Sequence, residues 1–279
     1  MDTTNRHMAQ TIETGPANNN AAEPNKEEAH ENVIRAQDFA HLHLHSAYSL
    51  LDGALRIEDI PRLARKMGHK HVAITDHGNM FGAVAFYKAC MAEGIHPIIG
   101  CEVYVAPGSR FDKKRIDGEA YHHLILLCEN EVGYRNLSKL VSLGYTEGFY
   151  TRPRIDMELL TQYHTGLIAL SACLAGVVPT CVRKGDFDGA RAHAKQMRDV
   201  MGAQNYYLEL QNHGMSEEED VNRFLLQLSD ELKIPMVATN DVHYATKEDA
   251  RAQRVLMCIQ TNTTIQDDTA PIGFTTEEY

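Results

Sequence analysis

Seven short apolar runs, separated by amphipathic stretches, set the tightest limit on how this chain can fold. They read AHLHLH (40–45), HVAIT (71–75), PIIGCEVYV (97–105), HLILLC (123–128), GLIALS (166–171), YYLELQ (206–211) and PMVATND (235–241). Between most of them lie segments of helical periodicity, among them IEDIPRLARKMG, FGAVAFYKACMAEG and EVGYRNLSKLVSLG. Ser216-x-x-Glu219 and Thr246-x-x-Asp249 read as capping boxes that start two later helices. Strands alternating with helices imply a parallel sheet covered by helices. Their number, within 279 residues, favours a closed or nearly closed barrel over an open sheet. No G-x-G-x-x-G follows the first strand and no G-x-x-x-x-G-K-S/T occurs, so neither dinucleotide nor P-loop chemistry is supported.

Residues 1–37 are polar, rich in Asn and Glu and without periodicity, and are expected to be a disordered extension. The barrel is expected over 38–265, and 266–279 would begin a connection to a further domain. A hydrophobic content of 43% suits a globular core, and no stretch is long and apolar enough for a transmembrane helix or a signal peptide. Six scattered cysteines without a C-x-x-C pair read as reduced thiols of a cytoplasmic protein. The formal net charge of −11 argues against an unaided grip on duplex DNA. Bound divalent cations can invert the field of an acidic site, so a nucleic-acid substrate is still allowed.

The residues with chemistry fall where a barrel puts its active site, at the carboxyl ends of strands. His43 and His45 end the first run, with Asp52 just beyond; Asp76–His77 closes the second, and Glu102 lies in the third. Cys173 follows the fifth, Gln211–Asn212–His213 closes the sixth, and Asn240–Asp241–Val242–His243 closes the seventh. His122–His123 is the awkward member, because it begins its run. Strict strand alternation places His41, His43 and His45 on one face, with Leu42 and Leu44 on the other. Imidazole, carboxylate and one thiolate together suit Zn²⁺, Mn²⁺ or Fe²⁺ better than Mg²⁺ or Ca²⁺. The groups exceed the needs of one ion, and a bridging carboxylate would let two or three share them.

HLHLHSAYSLLDG, AITDHGN, IIGCEVYV and VATNDVHY resemble the PHP (polymerase and histidinol phosphatase) superfamily. GNMFGAVAFYKAC, GIHPIIGCEVYVAPGSR, GYRNLSKLVSLGYTEGFYTRPRID and GLIALSACLAG further resemble the N-terminal PHP domain of bacterial replicative DNA polymerase III α subunits, over roughly 38–279. The resemblance implies an α/β fold, a distorted seven-stranded (β/α)7 barrel with a trinuclear metal site at the C-terminal ends of the strands. Carried over residue by residue, His43, His45, Glu102 and Asp241 would hold one ion. Glu102 would bridge to a second, completed by His123 and Cys173, and Asp52, His77 and His243 would hold the third. His41 and His122 would not be ligands. The polar amino-terminal extension departs from the family pattern.

What the resemblance implies about activity is a metal-dependent phosphodiesterase, a 3′–5′ proofreading exonuclease serving DNA replication. The attacking group would be a metal-bound water, with no side-chain base assigned. The expected partners are the primer 3′ end of DNA, the remainder of the polymerase α chain, a separate proofreading subunit and other replisome components. The fragment lacks the polymerase carboxylates, so the DNA-directed DNA polymerase and nucleotidyltransferase activity would reside elsewhere. Two alternatives stand beside this reading: a non-catalytic, metal-stabilised docking module, and a stand-alone histidinol-phosphatase-like enzyme. Arg152 and Arg154 are candidate substrate-phosphate contacts, since arginine suits bidentate phosphate recognition. Gln211, Asn212 and His213 are weaker candidates, and the cysteines other than Cys173 read as packing residues.

Overall fold

The computed structural model describes residues 38–266. The expected extension 1–37 and nearly all of the expected connection 266–279 lie outside the described residues. Every one of the seven runs contributes a strand: β1 (Ala40–His41), β2 (His71–Ile74), β3 (His96–Val105), β4 (His122–Cys128), β6 (Leu167–Leu170), β7 (Tyr206–Leu210) and β8 (Met236–Ala238). A further two-residue strand, β5 (Arg154–Ile155), pairs with β3. The sheet order is β1-β2-β3-β4-β6-β7-β8, and it curls until Leu44, beyond β1, bridges Val242, beyond β8.

The sheet is mixed rather than parallel throughout. β1, β2 and β3 pair in parallel, as do β6, β7 and β8, but β4 runs antiparallel to both β3 and β6. The cause lies in the connection. A parallel return needs a crossover, whereas the segment between β3 and β4 holds no helix and simply turns the chain back. The start of β4 therefore meets the end of β3, with Tyr104 opposite His123. That reversal brings a histidine from the beginning of a run to the same mouth as residues from the ends of others.

The helices are α1 (Asp59–Lys66), α2 (Ala83–Glu93), α3 (Glu131–Thr146), α4 (Met157–Tyr163), α5 (Val177–Arg183), α6 (Phe187–Met201), α7 (Ser216–Leu232) and α8 (Ala250–Thr261). Asn130, Asp156 and Asp186 cap α3, α4 and α6 by accepting from backbone N–H groups of the first turn. The Thr246–Asp249 capping box forms, around a short 3-10 turn that leads into α8. The one expected at Ser216 does not: Met215 is the N-cap of α7, and Ser216, already inside the helix, donates to Glu217. Among the described residues no helix is long and apolar enough to cross a membrane.

Alternation along the strands divides the packing into two faces. Val103, Leu124, Leu126, Tyr206 and Leu208 pack outward with Leu137, Leu140, Met197 and Leu225 of the helices. Ala73, Ile125, Leu127, Leu170 and Ala172, with Leu42, Tyr207 and Val237, form an apolar inner layer. Full burial of one such large side chain is worth about 1.5–3 kcal/mol. The first run departs from strict alternation. Leu42 belongs to this inner layer, whereas Leu44 packs with Leu55, Ile57 and Ile60 in a separate cluster, and the chain bends at His43. His41 therefore does not share the face of His43 and His45; its ring packs edge-on against Phe39 and His69.

Candidate metal centre

Above the inner apolar layer the same alternation turns polar. Glu102 on β3 lies two residues beyond Gly100, which pairs with Leu127, and Glu209 on β7 lies two beyond Tyr207. His43 Nε2 lies 3.0 Å from His45 Nε2 and 3.0 Å from Asp241 Oδ1, and His45 Nε2 lies 3.2 Å from the same oxygen. Glu102 stands between the groups. Its Oε1 is 2.8 Å from His123 Nδ1 and 3.4 Å from His43 Nε2, and its Oε2 is 2.5 Å from His77 Nδ1 and 3.6 Å from His45 Nε2. Asp52 Oδ2 is 2.9 Å from His77 Nε2 and 3.5 Å from His243 Nε2. Cys173 Sγ is 3.9 Å from His123 Nδ1.

All nine expected ligands thus gather around one mouth. Three groups of three have donor atoms close enough to share a cation: His43–His45–Asp241, His77–Glu102–His123 and His45–His77–His243. The grouping differs in detail from the expected one, because His45 and His77 each serve two groups and Cys173 stands beside them through His123. His122 points elsewhere, as alternation with His123 requires, and burial lowers its pKa.

The surrounding protein orients the imidazoles. His43 Nδ1 lies 2.7 Å from Glu209 Oε1, and Thr239 and Gln211 donate to that same oxygen. His45 Nδ1 is 2.9 Å from Ser49 Oγ, which donates to Asp76 Oδ1 and accepts from His77 N–H. His243 Nδ1 is 2.7 Å from the Asp241 carbonyl. In each case the protein engages Nδ1, which turns Nε2 toward the centre, the arrangement that fixes a metal-ligating tautomer.

The charges are balanced for a cation. Burial works against ionisation of Glu102, yet His123, His77 and His43 outweigh it and hold the carboxyl well below its usual range. Asp241 is likewise held down despite its burial, by His43 and His243. Burial, reinforced by His77 and His243, pushes His45 down to about 3, whereas Glu102 and Asp52 overcome the burial of His77 and raise it to about 10. Burial, with Asp241 and Glu102 nearby, lifts the Cys173 thiol well above its ordinary value. Its use as a ligand therefore requires a cation that displaces the proton. Among the described residues, Glu102 Oε2 and His77 Nδ1 face only each other and neighbouring imidazoles, and Asp241 Oδ1 faces His43 and His45, all at ion-pair distance but without well-formed hydrogen bonds. Buried polar atoms are rarely left so, and a divalent cation fits these three.

The backbone is unusual at the same place. Seven non-glycine residues among those described have positive φ. Asp117, Lys233 and Asn262 sit in a turn or at helix ends. The other four are Asp241 itself and Leu51, Thr151 and Ala172, which immediately precede Asp52, Arg152 and Cys173. Such conformations cost of order 1–3 kcal/mol each and persist where the surroundings impose them, commonly at functional sites.

The two candidate arginines separate. Arg154 is buried and donates to the carbonyl oxygens of Gly148, Ala120, Arg110 and Asp112, so it staples the β3–β4 loop instead of reaching phosphate. Arg152 lies over the Tyr104 ring, which itself stacks on His77, and its buried Nε has no partner among the described residues. The weaker candidates are structural too. Gln211 donates to Glu209 and Thr239, Asn212 caps the Gly214 N–H, and His213 bonds Glu218 and the Asn240 carbonyl. Glu209 was missed by sequence reasoning; its signal was an acid at an inward position of an otherwise apolar strand.

A family model described as PHP domain matches residues 41–213, more than half of the chain. The chain belongs to the PHP domain family. Asp241 and His243 lie beyond the matched stretch, yet the fold returns them to the same centre. DNA polymerase III subunit alpha of Treponema pallidum (strain Nichols) is 50% identical over 242 residues, which are 86% of this chain and 21% of that protein. The subunit of the same name from Borreliella burgdorferi is 48% identical over 231 residues, 82% of this chain and 20% of that protein. This PHP chain thus spans about a fifth of the length of these curated relatives. A Bifidobacterium adolescentis protein of solved structure, described as a metal-dependent phosphoesterase, is 17% identical, with a TM-score of 0.47 over 74% of this chain and 88% of that one.

Proposed function

We propose that this PHP domain is a metal-dependent phosphodiesterase that acts on the 3′ end of a primer strand, the proofreading exonuclease of a replicative polymerase α subunit. The observation that carries the proposal is the convergence of His43, His45, Asp52, His77, Glu102, His123, Cys173, Asp241 and His243, with the Glu102 and Asp241 carboxylate oxygens facing imidazole nitrogens across the common space. Three divalent ions, of Zn²⁺, Mn²⁺ or Fe²⁺ type, match this mixture of nitrogen, oxygen and sulfur donors. Bound there, such ions neutralise phosphate charge and make water a better nucleophile near neutral pH. Glu209 and Ser49 hold the imidazoles in register, and Arg152, over the Tyr104 ring that stacks on His77, is the proposed contact to substrate phosphate.

Access favours catalysis over a purely structural centre. His43 and His45 are fully buried, but the side chains of Asp52, His77 and His123 are each about 15–17% exposed and leave the mouth open on one side. The remainder of the polymerase polypeptide is the expected partner, with primer DNA as substrate and a separate proofreading subunit as a further neighbour. Gel-resolved degradation of a labelled primer, with and without chelator and beside histidinol phosphate, tests the proposal. Chelator-sensitive shortening from the 3′ end is expected. Metal binding without any hydrolysis would leave the docking-module reading, and turnover of histidinol phosphate alone would leave the phosphatase.

A further inference from the structure

Asp52 offers two oxygens, and only one of them faces the centre. Its Oδ2 lies against His77 and His243, while its Oδ1 accepts from Gln253 Nε2 of α8 at 3.3 Å. Gln253 is 2% exposed, and among the described residues it is the only side chain other than these histidines bonded to Asp52. Its Nε2 also lies 3.0 Å from Met257 Sδ one turn along, so the amide is held against its own helix. Ala250 and Cys258 bury the same helix on either side of it. Leu51, at φ 61°, turns Asp52 toward both.

A carboxylate with a free second oxygen can rotate or chelate with both oxygens, and an amide N–H on one of them disfavours both. We infer that Gln253 is a positioning residue that presents Asp52 to the third cation through Oδ2 alone, and that cation binding at the Asp52–His77–His243 corner and docking of α8 are therefore coupled. The coupling is reciprocal: a cation that orders Asp52 strengthens the seat of α8, and a displaced α8 weakens that corner. The inference rests on the metal reading above and adds a residue and an element to it.

The test is a calorimetric titration of the metal-free 279-residue chain with Zn²⁺, for the parent and for Gln253→Met, which keeps the shape and removes the amide. Circular dichroism confirms that each is folded. One class of sites is expected to weaken by about 10–100-fold in the variant while the others keep their affinity. Hydrogen exchange supplies the second measurement, needing no variant: Zn²⁺ should raise the protection of the α8 amides in the parent. An isotherm identical in Gln253→Met, or α8 protection that Zn²⁺ leaves unchanged in the parent, would overturn the inference and leave the metal centre standing. A parent that binds no Zn²⁺ would overturn both.

Discussion

Ser49 Oγ touches three groups of the centre's scaffold: it donates to Asp76 and receives from His45 Nδ1 and the His77 backbone. Around it the candidate ligands differ in kind, and substitutions should separate them. Glu102 presents one oxygen to His43 and His123 and the other to His45 and His77, whereas Asp52 presents a single oxygen to its histidines. An amide keeps the shape but replaces one oxygen by a poor ligand. Metal counting should accordingly show a larger loss for Glu102→Gln than for Asp52→Asn; equal losses of one ion would remove the bridging role. His43→Ala should lose metal and activity, whereas His41→Ala and His122→Ala should keep both, since His41 packs on Phe39 and His69 and His122 faces away. Metal lost from His122→Ala but kept by His123→Ala would reverse the choice within that doublet. At this scale the gathering of imidazoles and acids at successive strand ends was legible, because such residues there have few structural uses, while the choice among them came from the family resemblance. Arg154 was misread: a guanidinium in a polar stretch looks exposed in sequence, and only the packed loop shows the carbonyls it serves.

The loop from Ser46 to Gly53 carries Asp52 from the end of the first run into the centre, and its shape depends on one close approach. A Cβ at Gly53 would lie 2.1 Å from the Ser46 carbonyl oxygen, a backbone atom that cannot swing away. Gly53→Ala should cost about 1–3 kcal/mol in thermal or denaturant unfolding, the range for overpacking, and should lower metal content as well. Unchanged stability together with full metal content would show that the loop has room to relax. The direction of β4 belongs to this scale too. Its apolar run was plain in sequence, but a strand has the same alternation in either direction. The helix-free connection before it was the available signal. Likewise Ser216 carried the pattern of a cap, while the chain entered α7 one residue earlier, at Met215.

The metal-free molecule holds an array of charges tuned by one another, so its stability should depend on pH in both directions. For His77 the folded pKa, about 10, lies above the unfolded value, so its contribution is complete below pH about 6.5 and is lost as pH rises toward 10. His45, held down to about 3, acts oppositely: the unfolded chain takes up the proton first, and stability falls as pH drops from about 6.5 toward 3. Glu102 and Asp241, held below their usual range, contribute above it and lose that contribution on acidification. Unfolding of the chelated protein across pH should therefore show a maximum near pH 6–7, at roughly the unperturbed histidine value. A monotonic profile would contradict the charge arrangement. Restoring Zn²⁺ at about 100 times its dissociation constant should add about 2.7 kcal/mol, or roughly 5–10 °C in Tm for a domain of this size. A melting temperature indifferent to verified metal removal would count against the centre. Sequence alone determined the strands and their alternation with helices, because periodicity is a local property, and it showed histidines and acids gathering at strand ends; which nine of them to expect together came from the family resemblance. The tertiary structure decided what depends on distant partners: the reversal of β4 that delivers His123, the bend at His43 that parts His41 from its neighbours, and the Glu209 and Gln253 side chains that bond His43 and Asp52. Those last two lie 166 and 201 residues from the groups they orient, and no local pattern encodes a contact made only when the sheet curls closed.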